Sequence, residues 1–414
     1  MHSFHYQKGA LCCELVALEE VAACYGTPVY VYSRHTIVDH YRRLDAALSE
    51  LHHEVCFALK ANSNLAVIGL LAQQGAGFDI VSGGELYRVI EAGGDPGKAV
   101  FSGVGKSAKE VEYALTSGIN TFNCESESEL ALINSLATRM GKQAQFSLRV
   151  NPDVDAQTHP YIATGLRDHK FGIDFEWAEG VYERTREYKN LVASGVSCHI
   201  GSQLLDTAPL REAAEKVLAL ATRLQKRGFP IGHVDFGGGL GVAYKPTDQA
   251  PAIGEFIGQI RDQIVESGFQ IMIEPGRSIV GPAGVLLTRV LYRKQSPKKE
   301  FIVVDAAMND LIRPSLYQAH HNILPLRQNS LPPVTADVVG PICETGDFLA
   351  RNREIANALP GDYLAVMTAG AYGFVLSSNY NSRPRVAEVL VDGDRWRIVR
   401  ERESLADLVR GESL

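Results

Sequence analysis

The chain has 414 residues, 45% of them hydrophobic and 21% charged, with a formal charge of -7 and a pI near 6.0. That is globular composition with room for two or three domains, and the acidic balance argues against nucleic acid or an anionic membrane as the main partner. No uncharged apolar run approaches the ~18–20 residues of a membrane span, and the opening MHSFHYQKGA lacks the apolar core of a signal peptide, so a cytoplasmic protein is expected. The seven cysteines are odd in number and contain no CxxC pair, which leaves neither a disulfide framework nor a metal site in view.

The first expected strands lie in FHYQKGALCCELV and PVYVYS, within residues 1–33, and are expected to join a β domain formed later in the chain. Residues 34–278 then alternate short apolar strands with amphipathic helices. The strands are VCFALK (55–60), GFDIVS (77–82), AVFSG (99–103), NTFNCES (120–126), QFSLRV (145–150), VSCHIG (196–201), HVDFGG (233–238) and QIMIEP (270–275). Between them run helical patterns such as SAKEVEYALTSG and ESELALINSLATRMG, several closed by glycine. Eight strands, each followed by a helix or crossover, is the count that closes a (β/α)8 TIM-type barrel; an open doubly wound sheet is the competing arrangement. Residues 279–414 change character, with β-rich stretches such as GVLLTRVLYRKQ and RPRVAEVLVDG separated by turns. They read as a second, mostly antiparallel β-barrel or sandwich domain.

Barrels of this kind gather their chemistry at the C-terminal ends of the strands. Here that edge carries Lys60, Asp79, Asn151, His199, Ser202, the Gly237-Gly238-Gly239 run, and Glu274 with Arg277. Lysines at strand ends usually pack their stems and hold their heads in water. A desolvated lysine, however, can form a Schiff base with a carbonyl. GGGLG (237–241) follows the seventh strand, where backbone N–H groups commonly hold phosphate, although three glycines alone also suit a tight turn. A lysine and a phosphate cradle on one barrel face suggest pyridoxal 5'-phosphate. Glu274 supports this, because a carboxylate beside the pyridine nitrogen keeps the ring electron-accepting; its plainer reading is an ion pair with Arg277. His199 could stack on a flat ring, or could be an ordinary hydrogen-bonded core histidine.

FALKAN, GFDIVSGGEL, HPYIATGLRDHKFGI (159–173), CHIGSQ, DFGGGLG and EPGRSIV together resemble the fold-type III pyridoxal-phosphate decarboxylases. IRPSLY (312–317), GPICETGDFL (340–349) and AGAYGFVLSSNYNSRPR (369–385) resemble the branch of that family acting on diaminopimelate. The motifs span nearly the whole chain, in order.

The resemblance implies that Lys60 carries the cofactor covalently and that His199 stacks on its ring. It implies a phosphate site from Ser202, Gly238, Gly239 and the backbone of Pro275, Gly276 and Arg277, with Glu274 at the pyridine nitrogen. Asp79, at the end of its strand, is read separately as support for the cofactor site, orienting His199. Arg277, Arg313 and Tyr317 are expected to bind the substrate's distal carboxylate, Glu344 its distal ammonium, and Tyr372 both cofactor phosphate and substrate. Cys343 is expected to protonate the carbanion left by carbon dioxide. Arginine's planar fork suits a carboxylate, which a simple diamine precursor lacks, so these residues favour meso-2,6-diaminopimelate, with lysine as product. The alternative is a related decarboxylase for ornithine, arginine or a carboxylated polyamine; a cofactor-binding or regulatory homologue without catalysis would lack the lysine, the proton donor or the phosphate loop, and all three are present. A homodimer with shared active sites is implied, with Lys60 from one copy and the Cys343–Glu344 loop from the other. HPYIATGL is expected to cover the site. His320 and His321 are left without a role.

Overall fold

The computed structural model describes residues 2–154 and 170–414, so the expected cover HPYIATGL, residues 159–166, lies outside the described residues. The chain divides into two compact units. One comprises Met1–Asp39, Ala243–Asp248 and Ile279–Leu414, the other His40–Val242 and Gln249–Ser278.

The second unit is a closed parallel barrel. Its strands are β1 (His53–Ala58), β2 (Gly77–Ile80), β3 (Ala99–Phe101), β4 (Thr121–Cys124), β5 (Ala144–Asn151), β6 (Leu191–Cys198), β7 (His233–Asp235) and β8 (Gln270–Ile273). Each pairs with the next in parallel, and β8 returns to β1 through Ile271 opposite His53 and Ile273 opposite Val55. Closure removes the sheet edges and rules out the open doubly wound alternative. Phe57, Phe78, Phe101, Phe122 and Phe146, from successive strands, are buried, with the Phe101 and Phe122 rings stacked at 6.1 Å. Helix Ala108–Ser117 starts with a capping box between Ser107 and Glu110 and ends on Gly118 in the left-handed conformation.

The strand boundaries differ from expectation throughout, mostly by stopping short of the strand-end polar residues, and two of the differences bear on the site. β1 stops at Ala58, and Lys60 sits in a single 3-10 turn, Leu59–Ala61, so the lysine leaves the ladder before its side chain is aimed. β6 begins at Leu191, five residues before the apolar run suggests, because Gly195 interrupts the strand signal. A Cβ there would lie 2.2 Å from His233 Nε2, and the register shifts between Ala193 and Gly195. His199 therefore lies just beyond β6 and not within it.

The first unit is built on a mostly antiparallel sheet. Its order is Phe348–Ile355, Val334–Val339, Glu300–Val304, Gly284–Gln295, Val29–Ser33, Ala387–Asp392, Arg395–Arg400, with Tyr363–Val366 paired to Gly284–Gln295 and Ile323–Pro325 paired in turn to Tyr363–Val366. Among the opening segments, Val29–Ser33 enters this sheet. Phe4–Gln7, Ala10–Cys13 and Val16–Ala17 instead form their own three-stranded sheet. It packs Phe4, Leu11, Cys13 and Val16 into one core with Val285, Leu287 and Val389. Four-residue strands cannot bury enough surface alone, and that shared core fixes them.

Candidate active site

Lys60 Nζ lies 2.7 Å from Asp79 Oδ2, and Asp79 is fully buried on β2 with its other carboxylate oxygen unpartnered. The register Ala58 opposite Asp79 puts the two side chains at adjacent strand ends. An ammonium placed where the strand runs out thus faces a buried carboxylate. Asp79, expected beside His199, accepts from Lys60.

Glu274, one residue past β8, is buried beside a second acid. Asn123 Nδ2 donates to Asp235 Oδ2 at 2.8 Å and to Glu274 Oε1 at 3.3 Å, while Ser102 Oγ reaches Glu274 at 3.4 Å. Burial lifts the Glu274 carboxyl well above the usual range, and the charges of Asp235 and Asp79 add to this while Lys60 opposes it. Asp235 is raised too, mainly by burial, with bonds from Glu274, the Gly237 N–H and Asn123 holding it back. Two hydrogen-bonded carboxyls in a dry interior retain a proton between them. Asp235, Asn123 and Ser102 were missed in the sequence; the only signal was an aspartate opening DFGGGLG at a strand end.

The turns after β6 and β7 are zipped together. Leu204 N–H donates to Gly239 O at 2.8 Å, Gly241 N–H to Leu204 O at 3.0 Å, and Gln203 exchanges side-chain bonds with Val242. Gly238 is required by closeness, since a Cβ there would stand 2.4 Å from the Glu274 carbonyl oxygen. Arg277 donates to Ser202 Oγ at 3.0 Å beside this turn. His199 is held neutral, its pKa pushed well down by burial and then by Arg149 and Lys60.

The other unit carries the remaining candidates. Arg313 opens the short helix Arg313–Tyr317 and is buried, with Tyr317 half-buried at its end. Cys343 and Glu344 are exposed, on a loop pinned by Asp347, which accepts from Ile342 N–H and Met308 N–H at 2.8 Å each, and by Asn381, which accepts from Cys343 N–H at 2.8 Å. Tyr372 is half-buried with φ 55°, a left-handed conformation costly for an aromatic residue and typical of ligand-facing turns. Among the described residues no cluster suits a metal ion.

The barrel's donor set fits pyridoxal phosphate: an amine paired to a half-satisfied buried carboxylate, a neutral imidazole, a protonated acid pair, and a glycine turn too tight for any side chain beside an arginine. Barrel and site together define a pyridoxal-phosphate enzyme. Residues 34–281 match the family described as pyridoxal-dependent decarboxylase, pyridoxal binding domain. The diaminopimelate decarboxylase of Pseudomonas aeruginosa is 54% identical over 100% of this chain and 99% of its own. The diaminopimelate decarboxylase of Helicobacter pylori, solved with L-lysine, is 41% identical at TM-score 0.91, covering 95% of this chain and 98% of that one. That of M. jannaschii, also with L-lysine, is 36% identical at TM-score 0.95, covering 100% and 98%. The chain belongs to the diaminopimelate decarboxylases of the pyridoxal-dependent decarboxylase family, and its cofactor is pyridoxal phosphate.

Proposed function

We propose that this chain decarboxylates meso-2,6-diaminopimelate to L-lysine and carbon dioxide, the last step of lysine biosynthesis. The observation that carries the substrate choice is a buried, oriented guanidinium at Arg313, in a chain that also presents the Lys60–Asp79 amine. Diaminopimelate has two amino-acid ends: one reacts and the other must be recognised as a carboxylate. Ornithine, arginine and polyamine precursors make no such demand at the distal end.

Pyridoxal phosphate, when bound, supplies a sink for the electron pair left by the departing carboxyl carbon. Lys60, its amine held against Asp79, would hold the cofactor. Neutral His199 offers an uncharged face for the ring. The Glu274–Asp235 pair would face the pyridine nitrogen and keep it protonated. The Gly238–Gly239 turn, Ser202 and the start of the Pro275–Gly276–Arg277 segment bind phosphate, with Tyr372. Arg277, Arg313 and Tyr317 take the distal carboxylate and Glu344 the distal ammonium. Cys343 delivers a proton to the carbon that lost carbon dioxide, so one proton enters for each carbon dioxide released. The exposure of Cys343 and Glu344 supports their meeting a second copy of the chain, so the working unit is a homodimer with shared sites. Among the described residues no helix is long and apolar enough to cross a membrane, in keeping with a cytoplasmic enzyme.

Carbon dioxide release by the cofactor-loaded protein, offered diaminopimelate, ornithine, arginine and lysine separately, tests the reading. Release from diaminopimelate alone, with lysine recovered, is expected. Release from ornithine or arginine instead would move the protein to the alternative activity.

A further inference from the structure

His321 sits in the polar stretch QAHHNIL, to which the sequence assigned no role, yet it is completely buried. Its Nε2 lies 2.8 Å from Arg313 Nη1 and its Nδ1 lies 2.8 Å from the carbonyl oxygen of Met367. A guanidinium can only donate and a carbonyl oxygen can only accept, so the two contacts fix one form of the ring: neutral, with the proton on Nδ1 and a lone pair on Nε2. Tyr244 completes the arrangement. Its ring lies under the Arg313 guanidinium, 4.5 Å from Cζ, and meets the His321 ring edge-on at 5.2 Å.

A carboxylate in the place of His321 would orient the arginine and also cancel its charge. A neutral imidazole takes one N–H without cancelling the guanidinium's charge, while the Tyr244 face fixes the plane of the fork. We propose that His321, with Tyr244, is the positioning residue that holds Arg313 ready for the substrate's distal carboxylate, and so sets the preference for a substrate that carries one. This rests on the reading of Arg313 given above. Decarboxylation at one end of diaminopimelate leaves the other carboxylate on the product, so lysine retains the group Arg313 would hold and 1,5-diaminopentane lacks it.

The test uses the cofactor-loaded full chain and measures inhibition by lysine and by 1,5-diaminopentane, alongside KM for diaminopimelate. In His321→Asn the acceptor on the Arg313 side is withdrawn. KM and the lysine inhibition constant should then rise roughly tenfold, the size expected when a hydrogen bond to a charged group loses its geometry. Inhibition by 1,5-diaminopentane and the cofactor absorbance should stay as they are. His321→Gln, whose amide oxygen can reach the Nε2 position, should restore most of the lysine inhibition, and it also serves if the asparagine variant does not fold. Arg313→Met separates the two readings. If it raises KM while His321→Asn does not, Arg313 binds the carboxylate unaided and the role of His321 is lost. If Arg313→Met leaves KM unchanged, the carboxylate binds elsewhere and both fall. Equal weakening of lysine and 1,5-diaminopentane in His321→Asn would make the histidine a packing residue and overturn the proposal.

Discussion

Lys60 and Asp79 show what a single contact decides. A buried carboxylate 2.7 Å from the ammonium holds that amine at the strand end and keeps one oxygen unpartnered. Replacing Lys60 with Ala should abolish the visible absorbance of lysine-attached cofactor and nearly all turnover; retention of both would place the covalent anchor elsewhere. Asp235 acts through its neighbour. Its charge helps hold the Glu274 carboxyl high, so Asp235→Asn removes one cause of that rise, and the Glu274 proton should leave at lower pH. The pH at which the bound cofactor's absorbance changes should therefore move downward, which a spectrophotometric titration reads; an unmoved titration would separate Asp235 from Glu274. Lys60, Glu274 and the glycine run were legible because strand-end polar residues stand out against apolar neighbours. Asp235 and Asn123 were not, because their partnership joins positions 112 apart and a polar residue inside a strand reads as ordinary alternation. His321 was hidden for the same reason: its partners are Arg313 and a carbonyl 46 residues on.

At the level of elements, the eight barrel strands and their order were readable from apolar runs, and the errors fall where backbone geometry overrides them. Lys60 leaves the ladder in a 3-10 turn that no periodicity announces. β6 extends through Gly195, a residue that weakens every strand signal yet is needed where the His233 ring crosses. That ring also titrates. Burial pushes the His233 pKa down from 6.5 to about 4, and Ser147 Oγ lies 2.9 Å from Nε2. The unfolded chain takes up the proton first as pH falls, so the contribution of His233 to stability is complete above about pH 6.5 and lost progressively toward pH 4. By pH 5 the loss should approach ~2 kcal/mol. Urea unfolding at pH 7 and pH 5 should show it, and His233→Gln should flatten that slope; an unchanged slope would mean that other groups carry the acid sensitivity.

For the molecule as a whole, the sequence separated a parallel α/β region from a later β-rich one through the change in periodicity near residue 280. It could not assign the tripartite unit of Met1–Asp39, Ala243–Asp248 and Ile279–Leu414, because six residues interrupting a barrel carry no compositional mark. The candidates fall in two sets, Lys60 with the barrel and Cys343 with the exposed loop of the other unit. This split makes the proposed sharing of sites between copies testable by mixing. Lys60→Ala and Cys343→Ala proteins should each be nearly inactive alone. If each site takes its lysine from one copy and its thiol from the other, unfolding and refolding an equal mixture creates mixed dimers. Such a dimer has one site bearing both lesions and one bearing neither. Random pairing makes half the dimers mixed, so about a quarter of the unmutated activity should return. Cofactor absorbance should meanwhile remain near half, since only one parent has the lysine. If each site is built within one chain, every site carries one lesion, and the mixture should stay as inactive as its parents.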